Sequence, residues 1–487
     1  MPQSMLKFVS LTRQTPDRRP AGERTSDFAE IYQRFDPDRA EKQSSRCSQC
    51  GIPFCQVHCP LHNNIPDWLK LTAENRLEEA YELSAATNTF PEICGRICPH
   101  DRLCEGNCVI EQSGHGTVTI GAVETFITET AFAEGWVKAP LPARELDQSV
   151  GIIGGGPAGL SAADALRRRG YQVHIYDRHD RIGGLLVYGI PSFKLDKSLV
   201  RRRIALLEEA GIVLHRNTDI GVDGDVTFDE LRRRHDAILI ATGVYKARDI
   251  KLPGVGLANI LPALDYLIAS NRVGLGDTVA AFQDGTMNAA DKNVVVLGAG
   301  DTAMDCVRTA ARQGAKSVTC LYRRDKANMP GSRREVEYAE EEGVHFTMLA
   351  QPEAFIGDEV VSAVRAGRIH LGVADATGRQ TPEMIEGSSF NVEADLVIKA
   401  LGFDPEDIPQ MFDAPGLAVT RWGTVKANFR TRMTELDGVF AAGDIVRGAS
   451  LVVWAIRDGL DAADQMARYL QARAAPANAN AKREAVA

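Results

Sequence analysis

Eight of the chain's ten cysteines fall between residues 47 and 108, in two groups of four. The first group reads Cys47-x2-Cys50-x4-Cys55-x3-Cys59-Pro60, and the second Cys94-x3-Cys98-Pro99-x4-Cys104-x3-Cys108. Three closely spaced cysteines closed by Cys-Pro form a thiolate run suited to a 4Fe-4S cluster, with the fourth cysteine available to a second cluster. A structural zinc site asks for paired Cys-x2-Cys units, and only Cys47/Cys50 has that spacing. Iron–sulfur ligation is therefore the favoured chemistry and zinc the competing one. His58, His62 and His100 lie close by in sequence, but the thiolates suffice without them, so surface or packing roles are expected.

A second kind of chemistry is written in glycine. Val150–Ile153 is an apolar run, Gly154-x-Gly156-x-x-Gly159 follows it, and Val173–Tyr176 ends in Asp177. This is a dinucleotide fingerprint: the glycines allow a tight turn and close approach of a pyrophosphate, and the acid meets a ribose hydroxyl. Pro157 and Ala158 inside the turn, Arg178 beyond the acid, and the loop Gly183-Gly184-Leu185 belong to the same candidate site. So do Thr242 and Gly243, after the apolar run Ala237–Ala241, and Gly443 and Asp444, after Val439–Ala442. Such flanking strands suit FAD. A second fingerprint, Gly298-x-Gly300-x-x-Ala303, follows Asn293–Leu297, and its second strand, Ser317–Tyr322, ends in Arg323-Arg324. Paired arginines where the first unit has an acid suit a 2′-phosphate, so this site reads as one for NADPH. Ala400-Leu401-Gly402, closing another strand, is expected to border its nicotinamide half.

These residues need elements to hold them. The expected fold is α/β: two Rossmann-like domains, the NADPH domain inserted in the FAD domain, preceded by an α-helical domain with two 4Fe-4S clusters. The expected boundaries are 1–145 for the helical domain, 146–280 with 436–472 for FAD, 281–435 for NADPH, and a disordered tail over 473–487, rich in Ala, Asn and Pro. The polar segment 1–46 is expected to pack onto other parts, and Pro66–Ala86 to form one amphipathic helix. Cys306 and Cys320 read as packing cysteines.

With 487 residues and a net charge of −9, the chain is long enough for several domains and poorly suited to nucleic acid. Its basic clusters, Arg201–Arg203 and Arg232–Arg234, read as solvated helix faces. No apolar run is long enough to cross a membrane, so a cytoplasmic protein is expected.

Nearly end to end, the chain resembles the small subunits of bacterial NADPH-dependent glutamate synthases. The residues that carry the likeness are Cys47-Ser-Gln-Cys-Gly-Ile-Pro-Phe-Cys55, Gly298-Ala-Gly-Asp-Thr-Ala-Met-Asp-Cys306, Met329-Pro330 and Phe440-Ala-Ala-Gly-Asp444. The N-terminal part of dihydropyrimidine dehydrogenase shares most of these motifs, but the cysteine at position 94 favours the glutamate synthase branch. The resemblance implies Cys47, Cys50, Cys55 and Cys108 on one cluster and Cys59, Cys94, Cys98 and Cys104 on the other. It also implies Lys194 near the flavin, with Ala299, Gly300, Asp301 and Thr302 joining Arg323, Arg324 and Ala400–Gly402 around NADPH.

The cofactor chemistry then orders the electrons from NADPH to FAD to clusters to an outside acceptor. No catalytic acid or base is expected, and the chain has no acceptor site of its own. The resemblance implies a hetero-oligomer with a large (alpha) subunit carrying FMN, where L-glutamine and 2-oxoglutarate become L-glutamate. Two other readings stay open: input to a different complex, of pyrimidine dehydrogenase or ferredoxin-NADP type, and a zinc-stabilised nucleotide-binding scaffold without catalysis.

Overall fold

The computed structural model describes residues 4–375 and 380–484. The cysteine-rich part is a helical module in which Pro37–Ser44, Ile65–Ala73, Leu77–Ala85 and Ile120–Ala133 enclose a core containing Trp68, Leu69, Val123 and Ile127, while Pro91–Ile97 turns Ile93 into the core of the first sheet unit. Pro37, Pro66 and Pro91 sit in the first turns of their helices, where a missing N–H is harmless. The single helix expected over 66–86 is two helices. Asn75, with φ at 57°, breaks the run between Ala73 and Leu77, and asparagine tolerates that left-handed conformation better than most residues.

Two five-stranded parallel sheets follow, built alike. In the first the strands lie in the order Val439–Ala441, Ala237–Ile240, Ser149–Ile153, Gln172–Tyr176, Val213–His215. In the second the order is Ile260–Pro262, Leu396–Lys399, Asn293–Leu297, Ser317–Tyr322, His345–Met348. Every pairing is parallel. Val150–Ile153 and Val294–Leu297 are buried at every position, which is why both read as unbroken apolar runs.

The second sheet is inserted into the first, and the chain crosses between them where Lys246–Ala247 pairs antiparallel with Phe403–Asp404. It reaches further back than expected. Ile260–Pro262 is its edge strand, and Ala263–Gly274 buries Tyr266 and Leu267 in the core that holds Ala303, Met304 and Val307. The boundary expected at 280/281 therefore falls inside this unit; an edge strand of three residues is too short to show a period. An antiparallel sheet of Ala350–Gly357, Val361–Ala374, Gln380–Met384 and Phe390–Glu393 packs Val361, Val364 and Ala366 against Val295, Leu297 and Val397.

The last helix, Val452–Glu484, lies on Pro157–Arg168, and the contact is so close that a Cβ on Gly459 would stand 2.2 Å from the Ala158 carbonyl oxygen. The tail expected to be disordered from 473 is helical as far as Glu484, since an alanine-rich stretch can extend an existing helix without a new nucleus. Residues 485–487 lie outside the described residues.

The units are bolted together by ion pairs. The polar first segment packs as expected, Ile31 and Tyr32 meeting Phe193 and Tyr338. Arg24 pairs with Glu341 and Glu342 at 2.6 and 2.9 Å. The reading of Arg201–Arg203 as a solvated face holds only for Arg201. Arg202 pairs with Glu129 of the helical module, and the buried Arg203 pairs with Glu92 at 2.7 Å, because a buried cation persists only beside a partner.

Candidate functional site

The first glycine loop opens into a cleft. Gly154 takes φ at 105°, and a Cβ there would stand 2.4 Å from the Ala241 carbonyl oxygen, so the central strand and its neighbour can approach only at a glycine. Gly156 caps the helix Pro157–Arg168, and nothing lies within 4 Å of where its Cβ would be. That open space at a helix N-terminus is where an anion is accommodated.

The structure brings Gly154, Gly156, Pro157, Ala158, Asp177, Arg178, Gly184, Leu185, Thr242, Gly243, Gly443 and Asp444 to this one lining. Gly159 lies behind it: its Cβ would stand 2.1 Å from the Gly154 carbonyl oxygen, so it serves helix–strand packing. The Asp177 carboxylate accepts from the Gly155 and His179 N–H groups at 2.8 and 2.9 Å and is fixed facing the loop. Arg178 pairs with Glu406 at 3.0 Å over the Tyr245 ring. Burial pushes the Asp444 carboxyl up to about 6. The Thr242 hydroxyl is buried with no hydrogen-bond partner among the described residues, the mark of a polar group waiting for a ligand. Sequence reasoning missed Tyr245, two residues past Gly243, and Ile408, Met411, Phe412 and the segment Ser450–Val452, which come from remote parts of the chain.

The second loop repeats the device. Gly298 has φ at 124°, with a virtual Cβ 2.3 Å from the Ala400 carbonyl oxygen, and Gly402, with φ at 97°, ends the neighbouring turn as Gly243 does in the first unit. Gly300 caps the helix Asp301–Arg312, which carries Thr302 and Ala303 in its first turn. Arg323 stands exposed past the strand end, while Arg324 is half-buried and donates to the Gln380 carbonyl at 3.3 Å. The Asp301 carboxylate accepts from the Ser332 N–H at 2.9 Å and pairs with Arg102 at 3.3 Å. Asp101 in turn accepts from the Ser332 hydroxyl at 3.0 Å and the Arg333 N–H at 3.2 Å. The loop between Cys98 and Cys104 is thus pinned onto the second nucleotide loop, a contact nothing in the sequence announced.

Lys194 is not among the residues lining the first cleft. Its ammonium pairs with Asp305 at 2.8 Å and Glu335 at 3.6 Å, tying a loop of the first unit to helices of the second. Burial opposes that charge, but Asp305 and Glu335 outweigh it and hold Lys194 above the ordinary lysine range. Glu335 is likewise opposed by burial, and Lys194, Arg308 and Arg334 bring it down to about 2.

The cysteines sort by cavity. Cys47, Cys50, Cys55 and Cys108 line one, with Leu69, Val118 and Ile120. Cys59, Cys94, Cys98 and Cys104 line the other, with Trp68, His100, Glu124 and Val453. These are the two sets that the resemblance pairs. Among the described residues no three or more His, Cys, Asp or Glu side chains converge on a single-ion site. Four thiols around each small cavity suit a 4Fe-4S cluster in each. Burial pushes Cys47 and Cys59 up to about 11 and Cys55 up to about 12, so thiolates here need a metal's positive charge. Of the nearby histidines, His58 and His62 are exposed and His100 is buried. Cys306 and Cys320 are buried in the core of the second unit.

Comparison with known proteins agrees with this architecture. Residues 24–136 match the family model described as dihydropyrimidine dehydrogenase domain II, 4Fe-4S cluster, and residues 148–459 match pyridine nucleotide-disulphide oxidoreductase. The glutamate synthase [NADPH] small chain of Azospirillum brasilense is 69% identical over 472 residues, covering 97% of this chain and 98% of that one. The protein of the same name from Escherichia coli K12 is 44% identical over 484 residues, covering 97% and 100%. Among solved structures, FprA from Mycobacterium tuberculosis in complex with NADPH aligns with a TM-score of 0.57 at 19% identity, over 68% of this chain and 86% of that one, a likeness of fold.

Proposed function

This chain belongs to the family of small chains of NADPH-dependent glutamate synthase, and from that premise we propose how its residues divide the work. It is an NADPH-dependent oxidoreductase and the electron-input chain of that system. Bound FAD would supply the chemistry of accepting a hydride from NADPH and passing single electrons to 4Fe-4S clusters. In our assignment Gly154, Gly156 and the helix start at Pro157 receive the FAD pyrophosphate, while Asp177 accepts from a ribose hydroxyl. Thr242 and Asp444 offer polar contacts deeper in the same cleft. Gly298, Gly300 and the helix start at Asp301 receive the NADPH pyrophosphate, and Arg323 with Arg324 clasp its 2′-phosphate.

One observation carries the proposed electron route. Leu451 and Val452 line the first cleft, and the next residue, Val453, lines the cavity of Cys59, Cys94, Cys98 and Cys104. We therefore place the cluster of these four cysteines beside the flavin, and the cluster of Cys47, Cys50, Cys55 and Cys108 further out. Near the outer group Ile52, Phe54 and Val57 are exposed by 69, 43 and 54%. This apolar face is our candidate docking surface for the FMN-bearing large subunit in a cytoplasmic hetero-oligomer. Among the described residues no helix is long and apolar enough to cross a membrane.

The test is to purify the chain anaerobically, assay flavin, iron and sulfide, and supply NADPH, L-glutamine and 2-oxoglutarate with and without the large subunit. About eight irons per chain, flavin reduction by NADPH, and glutamate only with the large subunit are expected. Glutamate from the isolated chain, or zinc in place of iron, would contradict the assignment.

A further inference from the structure

His100 follows Cys98-Pro99 and is only 3% exposed. It walls the cavity of Cys59, Cys94, Cys98 and Cys104, and also borders a large polar cleft between the helical module and the helix Arg333–Glu341. Its place is built with care. The His100 carbonyl accepts the N–H groups of Glu105 and Gly106 at 2.9 and 3.0 Å, which fixes the backbone. The ring lies against Gly121, where a Cβ would stand 2.3 Å from Cε1, so a glycine in the helix Ile120–Ala133 makes room for it. Yet both ring nitrogens are buried and neither has a hydrogen-bond partner among the described residues. The Cys94 carbonyl lies beside the ring as a weak acceptor outside good hydrogen-bond geometry, and it already accepts the Cys98 N–H at 3.2 Å.

An imidazole in any protonation state carries at least one N–H, and buried donors in native proteins find acceptors. The cavity beside His100 is where that acceptor would stand. We propose that the His100 ring N–H donates a hydrogen bond to a sulfur of the cluster held by Cys59, Cys94, Cys98 and Cys104, and so sets that cluster's potential. The inference rests on the assignment of those four cysteines to a cluster. Reduction adds negative charge, a donor favours the reduced form more than the oxidised one, and the potential rises accordingly. The outer cavity is served differently: Gln49 reaches the Cys47 sulfur at 3.3 Å, and Ser48 lies 3.0 Å from the Cys50 sulfur. The donor role of His100 thus concerns the inner site alone.

The test uses the full chain, purified anaerobically, with iron assay followed by potentiometric titration monitored by EPR. His100→Leu is expected to keep wild-type iron and to move one of the two reduction waves to more negative potential, leaving the other in place. His100→Gln, which retains N–H donors, should restore most of that shift. Unmoved waves in a fully loaded His100→Leu chain, or equal movement of both, would overturn the proposal. If His100→Leu cannot hold the inner cluster, the wild type decides. With 15N-labelled histidine, pulsed EPR of the reduced chain should detect a nitrogen coupling on one cluster, and its absence would overturn the donor role. Iron for fewer than two clusters in the wild type would instead sink the cluster assignment beneath it.

Discussion

The two nucleotide units share one backbone and differ in how they end. In each, a central strand runs into a glycine pressed against the carbonyl of the adjacent strand: a Cβ on Gly154 would stand 2.4 Å from the Ala241 oxygen, and one on Gly298 2.3 Å from the Ala400 oxygen. The charged residues placed by that common geometry are opposite. Asp177 is 6% exposed and tied into its own loop, in a cleft closed by remote segments such as Ile408–Phe412 and Ser450–Val452. Arg323 stands in the open. Burial of the strand-end residue, more than the fingerprint, separates the two: a buried acid suits a cofactor that stays, and an exposed cationic end suits one that must come and go.

The sharpest way to break this comparison is to put a methyl group in each loop. Strain at a positive φ together with steric overlap amounts to about 3 kcal/mol or more, or roughly 100-fold in affinity. Gly154→Ala should yield a chain without flavin, whereas Gly298→Ala should keep its flavin and lose reduction by NADPH. Visible spectra and stopped-flow bleaching distinguish the two outcomes.

Replacing both Arg323 and Arg324 by alanine removes charge-assisted contacts of about 1.5–3 kcal/mol. KM for NADPH should rise roughly 10- to 100-fold, with KM for NADH and flavin content unchanged. At the other end of the route, Ile52→Lys should slow electron delivery to the large subunit while NADPH still bleaches the flavin at the wild-type rate. Equal loss of both activities would place Ile52 in the fold of the module and not at its exit.

The last effect is one of pH. Because burial lifts Asp444 to about 6, the folded flavin-free chain holds that proton more tightly than the unfolded one. Its stability should fall as pH rises from about 4 to about 6 and stay reduced above that. Asp444→Asn should therefore stabilise the flavin-free chain near neutral pH, by up to about 3 kcal/mol, with little gain below about pH 4. Thermal melts across pH would show it, and the same substitution should weaken flavin retention.

What the sequence disclosed and what it hid divide along the same line. Gly154, Gly156, Gly298 and the strands leading to them were legible because a fingerprint is local, its glycines and apolar runs lying within one βαβ unit. Ile260–Pro262 was not, since three residues at a sheet edge carry no period, and its membership is decided by pairing with Leu396–Lys399. The ion pair of Lys194 went unforeseen, and Arg203 was misread, for a related reason. Their partners, Asp305 and Glu92, are each more than a hundred positions away, and only the packing of separate units makes them neighbours. The eight cysteines announced their chemistry, whereas their division between two cavities depends on how the helices bring Cys108 back beside Cys47 and Cys94 beside Cys59.

The account is tested most directly by gel-filtering the anaerobic chain and titrating it with NADPH, and separately with NADH, while following the flavin absorbance. It predicts that flavin stays with the protein through filtration while added nicotinamide does not, and that NADPH bleaches the flavin at far lower concentration than NADH. A chain that loses its flavin on the column, or that answers equally to both nucleotides, would contradict the division between an enclosed resident site and an open, phosphate-reading one.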